Sequence, residues 1–222
     1  MKVVAALETS TRRGSVALLA NGRVHEAALE GERAHASDLL PALDGLLRAA
    51  GAAPSELDAC AVGIGPGSFT GLRVAVATAF GLTRGSDAVL VGIPSFEALA
   101  LDALAAGEEA SVLQDARAGA LYLARYARTE DGIEVLRPPC VVTADELAGE
   151  LPPGQAILGD DAAFRASGLA DKERARLRSG GVPTATAVLR LGQLRLASDG
   201  PTPPSELEPL YLRPFAVRRR AR

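Results

Sequence analysis

The sequence predicts an α/β protein with a mixed β-sheet, built from two related halves. Three apolar runs that suit β-strands open the chain, and the second and third are joined at Asn21-Gly22, a strong β-hairpin signal. Strand and helix patterns then alternate to about residue 104, and a second group of strand patterns starts at residue 111. An antiparallel opening is unlike a plain doubly wound nucleotide fold, so a reduced repeat of the first half fits this order better.

The first half is expected to span residues 1–104 and to carry most of the regular structure. Its predicted elements are strands at 3–7, 15–20, 23–29, 58–64 and 88–93 and helices at 35–50, 72–83 and 95–104. Pro41 falls inside the first of these helices, so it lies in the first turn or introduces a kink. Ser68 and Thr70 precede the second helix and can cap it through their side-chain oxygens.

The second half, residues 105–222, begins where the composition becomes small and charged. Thr143 and Glu146 have the spacing of a capping box, which predicts a short helix, and Thr184 can cap a longer one that ends near Gly200. The predicted strands lie at 111–115, 120–128, 133–142 and 156–159.

The composition is that of a soluble globular protein, with 48% hydrophobic and 23% charged residues among 222. Aromatic residues make up 4%, which argues against base stacking as the main activity, and the net charge of −3 lacks the broad basic footprint of a nucleic-acid-binding domain. Cys60 and Cys140 form no CxxC, and no apolar run reaches the length of a membrane span. A cytoplasmic protein that does not associate with membranes is therefore expected.

The segment GPGSFTG at residues 65–71 separates an apolar strand from an apolar helix. Backbone N–H groups of a glycine turn at a helix N-terminus can bind a phosphate, although the Gly-Lys-Ser/Thr of a Walker loop is missing. The alternative is a tight turn that lets strand and helix pack closely.

A second polar turn follows the first strand, where actin-like ATPases bind phosphate, but an ordinary hairpin explains it equally well. The candidate cofactor-binding residues are Glu8, Thr9, Ser10, Gly65, Gly67 and Ser68.

The helix at 72–83 is apolar nearly all round, so its outer face is expected to be covered by another subunit. Substituting Arg for Ala75 or Ala79 is expected to abolish dimerisation and leave the fold nearly intact. The candidate interface residues are His35, Leu39, Leu43, Gly71, Leu72, Ala75, Ala79 and Leu82.

Metal and triad chemistry lack their usual residues. His25 and His35 are the only histidines and match neither His-x-x-x-His nor His-Glu-x-x-His, which argues against a metal centre and against a Ser-His-Asp triad. Asp115 is expected to pair locally with Arg117, while Asp160-Asp161 offers further carboxylates. The basic run 218–222 either contacts RNA or is a solvated tail.

Four segments resemble the TsaB (YeaZ) family across nearly the whole chain. They are ETS with GSVAL at 8–18, GPGSFTGLRVAVATAFGL at 65–82, DARAGALYLARY at 115–126 and PLYLRP at 209–214. The resemblance implies the actin/Hsp70/sugar-kinase fold and a non-catalytic subunit. That subunit would pair with TsaD, and with itself when isolated, in the transfer of threonylcarbamoyl to the adenosine next to the anticodon of tRNAs reading A-starting codons.

The same resemblance implies that the ATPase TsaE joins the complex, that tRNA is reached through the complex, and that no cofactor is required. Weak nucleotide binding at a subunit interface stays open. TsaD carries a metal-binding His-x-x-x-His after the strand that follows the glycine turn, whereas residues 92–99 here contain no histidine. Ala75 and Phe80 depart from the Gly and Lys that the family often has. The alternative is an ATP-dependent phosphotransferase that uses the turns at Glu8 and Gly65.

Overall fold

A five-stranded mixed sheet forms the core of the first lobe. In this computed structural model, which describes residues 1–29, 34–159, 161–178 and 181–213, the strand order is β3-β2-β1-β4-β5. β1 pairs antiparallel with β2 and parallel with β4, so the sheet is mixed as predicted. The Asn21-Gly22 hairpin is confirmed, because both residues have the positive φ that a two-residue β-turn requires. The strands are β1 (Val4–Glu8), β2 (Gly14–Ala20), β3 (Arg23–Leu29), β4 (Ala59–Gly65) and β5 (Val89–Pro94).

Three helices form a layer on one face of this sheet: α1 (Ala34–Ser37), α2 (Leu39–Ala50) and α3 (Phe69–Thr83). The single helix predicted from His35 to Ala50 is interrupted at Asp38, and Pro41 lies in the first turn of α2, where a missing N–H does no harm. Gly51 ends α2 in the left-handed conformation, as its position predicted.

α3 begins three residues earlier than its apolar pattern indicated. Ser68 occupies the N-cap position, and its side-chain oxygen accepts a hydrogen bond of 3.2 Å from the Gly71 N–H. The sequence predicted the cap but not the first turn of α3, because that turn contains glycine and small polar residues like those of the preceding loop.

The opposite face of the sheet is covered by α4 (Ser95–Ala103) and α8 (Ala185–Ser198), which also separate it from the second lobe. Glu97 on α4 is nearly buried and accepts a 2.9 Å hydrogen bond from the Arg195 guanidinium on α8. Burial raises the pKa of Glu97, while the Arg195 charge opposes that rise. α8 falls within the predicted second half but packs on the first sheet, so the chain crosses back after the second lobe.

The second sheet repeats the strand arrangement of the first, with its last two strands reduced to three and two residues. Its order is β10-β9-β6-β7-β8, with β6 antiparallel to β7 and parallel to β9, so each strand has the neighbours and direction of its counterpart in the first sheet. This repeat confirms the predicted two-lobed fold with mixed sheets and a reduced second lobe. The elements are β6 (Glu109–Asp115), β7 (Ala120–Arg128), β8 (Ile133–Thr143), α5 (Ala144–Glu150), β9 (Ala156–Leu158), α6 (Asp161–Ser167), α7 (Asp171–Arg174) and β10 (Leu177–Arg178).

The capping box at Thr143 and Glu146 is confirmed at the start of α5, with both reciprocal contacts present. The sequence missed α6, α7 and β10, which are short and carry no strong periodic pattern. One side of the second sheet packs on α4, and the other packs on α5 and α6.

Residues 201–213 form an extended segment that joins the two lobes. The Thr202 N–H donates to the Leu90 carbonyl at 2.8 Å, and the Leu210 N–H donates to the Ile64 carbonyl at 2.7 Å. Leu207 is buried in the first core between these points. The Arg213 guanidinium then donates to the carbonyls of Ala116 and Arg117 in the turn after β6. We call residues 201–213 the strap.

Candidate functional site

Two turns meet at the carboxyl edge of the first sheet. β1 and β4 run parallel in register, with Leu7 opposite Val62, so the residues that follow the two strands leave the sheet side by side. β1 ends at Glu8 and is followed by Thr9 and Ser10, and β4 ends at Gly65 and is followed by a turn that reaches Ser68. All six predicted cofactor-binding residues therefore come together, although nothing in their sequence spacing linked the two groups.

The two turns are in direct contact. The Ser68 N–H donates to the Ser10 carbonyl at 2.7 Å, and the Thr9 hydroxyl donates to the Gly71 carbonyl at 2.8 Å. A Cβ atom at Gly67 would lie 2.3 Å from that same Ser10 carbonyl oxygen, a distance that no real contact tolerates. Gly67 is thus required for close approach of the two turns, which is the tight-turn alternative considered for GPGSFTG.

Glu8 is completely enclosed beneath these turns. Its Oε1 accepts the Ser10 N–H at 2.6 Å, and its Oε2 accepts the Ser95 hydroxyl at 2.7 Å. Burial raises the pKa of Glu8 despite these hydrogen bonds, which favour the charged form. Ser95 in turn accepts the Gly65 N–H at 3.1 Å, so one polar chain links β1, the glycine turn and the start of α4.

The glycine turn directs several of its donors to the protein itself. Ser95, Ser10 and Ser68 accept the N–H groups of Gly65, Ser68 and Gly71, respectively. A phosphate bound here would have to displace those contacts and push the first turn away. The Ser10 hydroxyl is buried and has no hydrogen-bond partner within the described part of the chain, so the Glu8 cluster is not fully satisfied.

Most of the predicted partner-interface residues do not lie on a free surface, and this part of the prediction was wrong. Six of them pack inward against the first sheet, five with 0–1% of their surface exposed: Leu39, Leu43, Leu72, Ala75 and Ala79, with Gly71 likewise buried. Leu82 is half-buried, and the side chain of His35 lies outside the described residues. Arg at position 75 or 79 would therefore disrupt the core rather than leave the fold intact.

The helices nevertheless expose a different face. Along α3 the solvent-facing residues include Arg73, Ala77 and Gly81, and a Cβ at Gly81 would meet no atom within 4 Å. On α2, Leu40 is 53% exposed and Pro41 is exposed beside it. α1 contacts both longer helices. We define the outer face as Leu40, Pro41, Ala77 and Gly81.

The structure also brings together residues that the sequence did not connect. The Phe69 and Tyr211 rings lie 5.0 Å apart between centroids, with the Arg73 guanidinium 5.2 Å from the Phe69 centroid. Ser95 reaches Glu8 only because β4 pairs with β5. No local pattern could have revealed either contact, since both depend on how distant segments pack.

The other candidate residues either have local structural roles or lie outside the described residues. The Asp115 carboxylate accepts the Arg117 N–H at 2.7 Å, which confirms its predicted local contact. Cys60 is buried as expected, and burial raises the pKa of its thiol to about 12. Asp160 and the run 218–222 are not among the described residues, and neither is the Asp161 side chain.

Among the described residues, no group of three or more His, Cys, Asp and Glu side chains is placed to hold a metal ion. No helix in this part of the chain is long and apolar enough to cross a membrane.

Comparison with known proteins identifies the family. The family model of TsaD, described as tRNA N6-adenosine threonylcarbamoyltransferase, matches residues 28–178. The TsaB protein of Haemophilus influenzae, described as a tRNA threonylcarbamoyladenosine biosynthesis protein, is 31% identical over 94% of this chain and 92% of its own length. This chain belongs to the TsaB family.

Two further TsaB relatives agree with that assignment. The Escherichia coli protein is 34% identical over 66% of this chain and 68% of its own length. The solved structure of YeaZ from Pseudomonas aeruginosa superposes with a TM-score of 0.81 at 27% identity, covering 96% of this chain and 100% of that one. The two-lobed fold described above is therefore also that of an experimentally determined relative.

Proposed function

We propose that this TsaB-family chain is a non-catalytic subunit that pairs with a TsaD-type transferase and activates it for threonylcarbamoyl transfer to tRNA. The closed glycine turn is the observation that supports a non-catalytic role for this subunit. Three of its N–H groups, those of Gly65, Ser68 and Gly71, are bound by serine oxygens, and Gly67 leaves no space against Ser10. A turn packed in this way serves to position α3 and needs no cofactor of its own.

The pairing is proposed to use the outer face rather than the inward stripe of α3. Arg73 is the only charged residue between Phe69 and Thr83, so the surface presented by α3 is short-chained and mostly uncharged. The exposed Leu40 and Pro41 extend this surface on α2. Burying several hundred Å² of such surface contributes several kcal/mol at about 25 cal/mol per Å² before association costs. A free energy of that size can shift a partner between two conformations.

Arginine substitutions on the outer face test the pairing. We expect Ala77→Arg and Gly81→Arg to weaken binding to purified TsaD at least tenfold while the thermal melt stays close to that of the wild type. The reason is that both positions face solvent in the isolated chain and would face the partner in the complex. Val135→Arg serves as the matched control, because Val135 is 45% exposed on the second lobe. Sedimentation velocity on mixed samples measures the pairing.

Wild-type affinity for TsaD in both outer-face variants would exclude this interface.

The functional part is tested in cells by depleting the protein and analysing tRNA nucleosides by mass spectrometry. A threonylcarbamoyl mark that persists after depletion would exclude the proposed role. Calorimetry with ATP and Mg²⁺ addresses the phosphotransferase alternative, for which tight binding by the isolated chain would be required. We propose the same pairing surface for the homodimer, and we propose that TsaE joins after the pair has formed.

A further inference from the structure

Aromatic and cationic groups converge at the start of α3, where Arg73 lies one helical turn before Ala77 of the outer face. Tyr211 of the strap is 47% exposed, Phe69 is half-buried against it, and the Arg73 guanidinium lies over the Phe69 ring. The chain has only eight Phe and Tyr residues and no Trp, so a partly exposed pair is a considerable share of its aromatic surface. Ring faces beside a guanidinium are the kind of platform on which an unpaired base stacks.

Further arginines surround this platform because three turns meet at the same edge. The turn after β1 carries the exposed residues Arg12 and Arg13, and it is tied to the start of α3 through the bond between the Ser68 N–H and the Ser10 carbonyl. The turn after β6 carries the exposed residue Arg117 and is tied to the strap by the Arg213 guanidinium. Asp115 lies on that same turn and reduces the local charge by one.

The turn after β6 holds Arg117 in an unusual conformation. Arg117 and Ala118 have φ values of 64° and 50°, a left-handed region that costs a non-glycine residue about 1 kcal/mol or more. The Arg213 guanidinium binds the carbonyls of Ala116 and Arg117 at 2.8 and 2.7 Å, which stabilises this conformation. Arg117 is thus presented on a fixed turn next to the point where the strap ends.

The charge of the whole chain is unevenly distributed toward this edge. Five arginines lie on the turns after β1 and β6, on the strap and in the first turns of α3. Without these five charges the net charge would change from −3 to −8. Such polarity would orient a polyanion toward this edge and repel it elsewhere.

We propose that this edge binds RNA directly. The arginine edge consists of Arg12, Arg13, Arg73, Arg117 and Arg213 together with the Phe69–Tyr211 pair. The arginines contact phosphates along an extended strand, and the ring pair accepts an unpaired base. An RNA suits the edge better than an acidic protein, because the cations are spread over two turns, α3 and the strap, and their centre is aromatic. The whole-chain composition had argued against nucleic-acid binding, since it averages this edge with an acidic remainder.

The proposal rests on the proposed function only in the choice of tRNA as the probe. The full chain alone is titrated into a fluorescein-labelled unmodified tRNA transcript, and anisotropy is measured between 50 and 200 mM NaCl. We expect log K to fall with log[salt] with a slope of about −4, as for five contacted phosphates. Arg73→Ala should weaken binding about fivefold and reduce the slope by about one. Tyr211→Leu should weaken binding about tenfold and leave the slope unchanged, since stacking releases no counterions.

Arg84→Ala is the matched control, because it removes the same charge at the opposite end of α3, about 16 Å from Arg73 along the helix axis. Binding by Arg84→Ala should stay within twofold of the wild type. The inference is overturned if the wild type does not bind at 50 mM NaCl. It is also overturned if the edge variants bind like the control, or if they lose TsaD while retaining tRNA. The proposed pairing with TsaD has its own sedimentation test and can stand if the tRNA result is negative.

Discussion

Replacing Gly67 with Ala tests the central geometric claim about the two turns. The added methyl group would lie 2.3 Å from the Ser10 carbonyl oxygen and 2.7 Å from Ser10 Cβ, so the turns must separate by about 1 Å to restore normal contact. Overpacking of this kind costs about 1–3 kcal/mol. Weakening the bond between the Ser68 N–H and the Ser10 carbonyl costs about 1 kcal/mol more. We therefore expect a loss of about 2–4 kcal/mol in the free energy of unfolding.

Urea denaturation followed by circular dichroism measures this loss as a lower urea concentration at the unfolding midpoint, while the dependence of the unfolding free energy on urea concentration stays unchanged. Gly81→Ala is the matched control, since a Cβ there meets no atom within 4 Å and the position lies inside α3. The control should be neutral or more stable by up to about 1 kcal/mol, because Ala favours the helix. A Gly67→Ala midpoint equal to that of the control would mean that the turns are not closely packed, and the phosphate-binding interpretation would regain its basis.

Two further predictions concern the buried carboxylates. Burial raises the pKa of Glu8 above its usual 4.5, so the folded state binds this proton more tightly and stability falls as the pH rises through the raised pKa. Glu8→Gln should remove that part of the decline, seen as a flatter dependence of the urea midpoint on pH above 4.5; an unchanged profile would contradict the burial of Glu8. Arg195→Met should cost about 3 kcal/mol at pH 7.5, because it leaves Glu97 buried without its cation. The cost should shrink at lower pH, because burial raises the pKa of Glu97 and its protonation removes the unpaired charge. A loss that is the same in thermal melts at pH 7.5 and at pH 5.5 would show that this reasoning is wrong.

The sequence predicted those elements whose signals are local. The Asn21-Gly22 hairpin, the Ser68 cap and the Thr143–Glu146 capping box each depend on a few neighbouring residues, and the structure confirms all three. The two-lobed order was also predictable, because strand and helix patterns repeat along the chain. Gly51 and Pro41 took the roles that backbone chemistry assigns to them.

The orientation of α3 was not predictable in the same way. Small residues recur every four positions on two opposite faces, at Ala75 and Ala79 and again at Ala77 and Gly81. Because the helix is apolar nearly all round, its pattern has no strong direction to indicate which stripe faces the sheet. Burial shows that Ala75 and Ala79 face inward. The expected interface residues on α3 therefore lie on its buried side, and Ala77 and Gly81 lie on its solvent-facing side. The ring pair of Phe69 and Tyr211 escaped prediction because only packing brings the strap to α3.

The strap and α8 affect the order in which the molecule can form. Both are synthesised after the second lobe, yet Leu207 and Val188 complete the packing of the first sheet on its two faces. During translation, the opening strands therefore remain partly uncovered until the ribosome has released the last of these segments. The first lobe, although its strands are synthesised first, can therefore complete its core only after the second lobe has been synthesised.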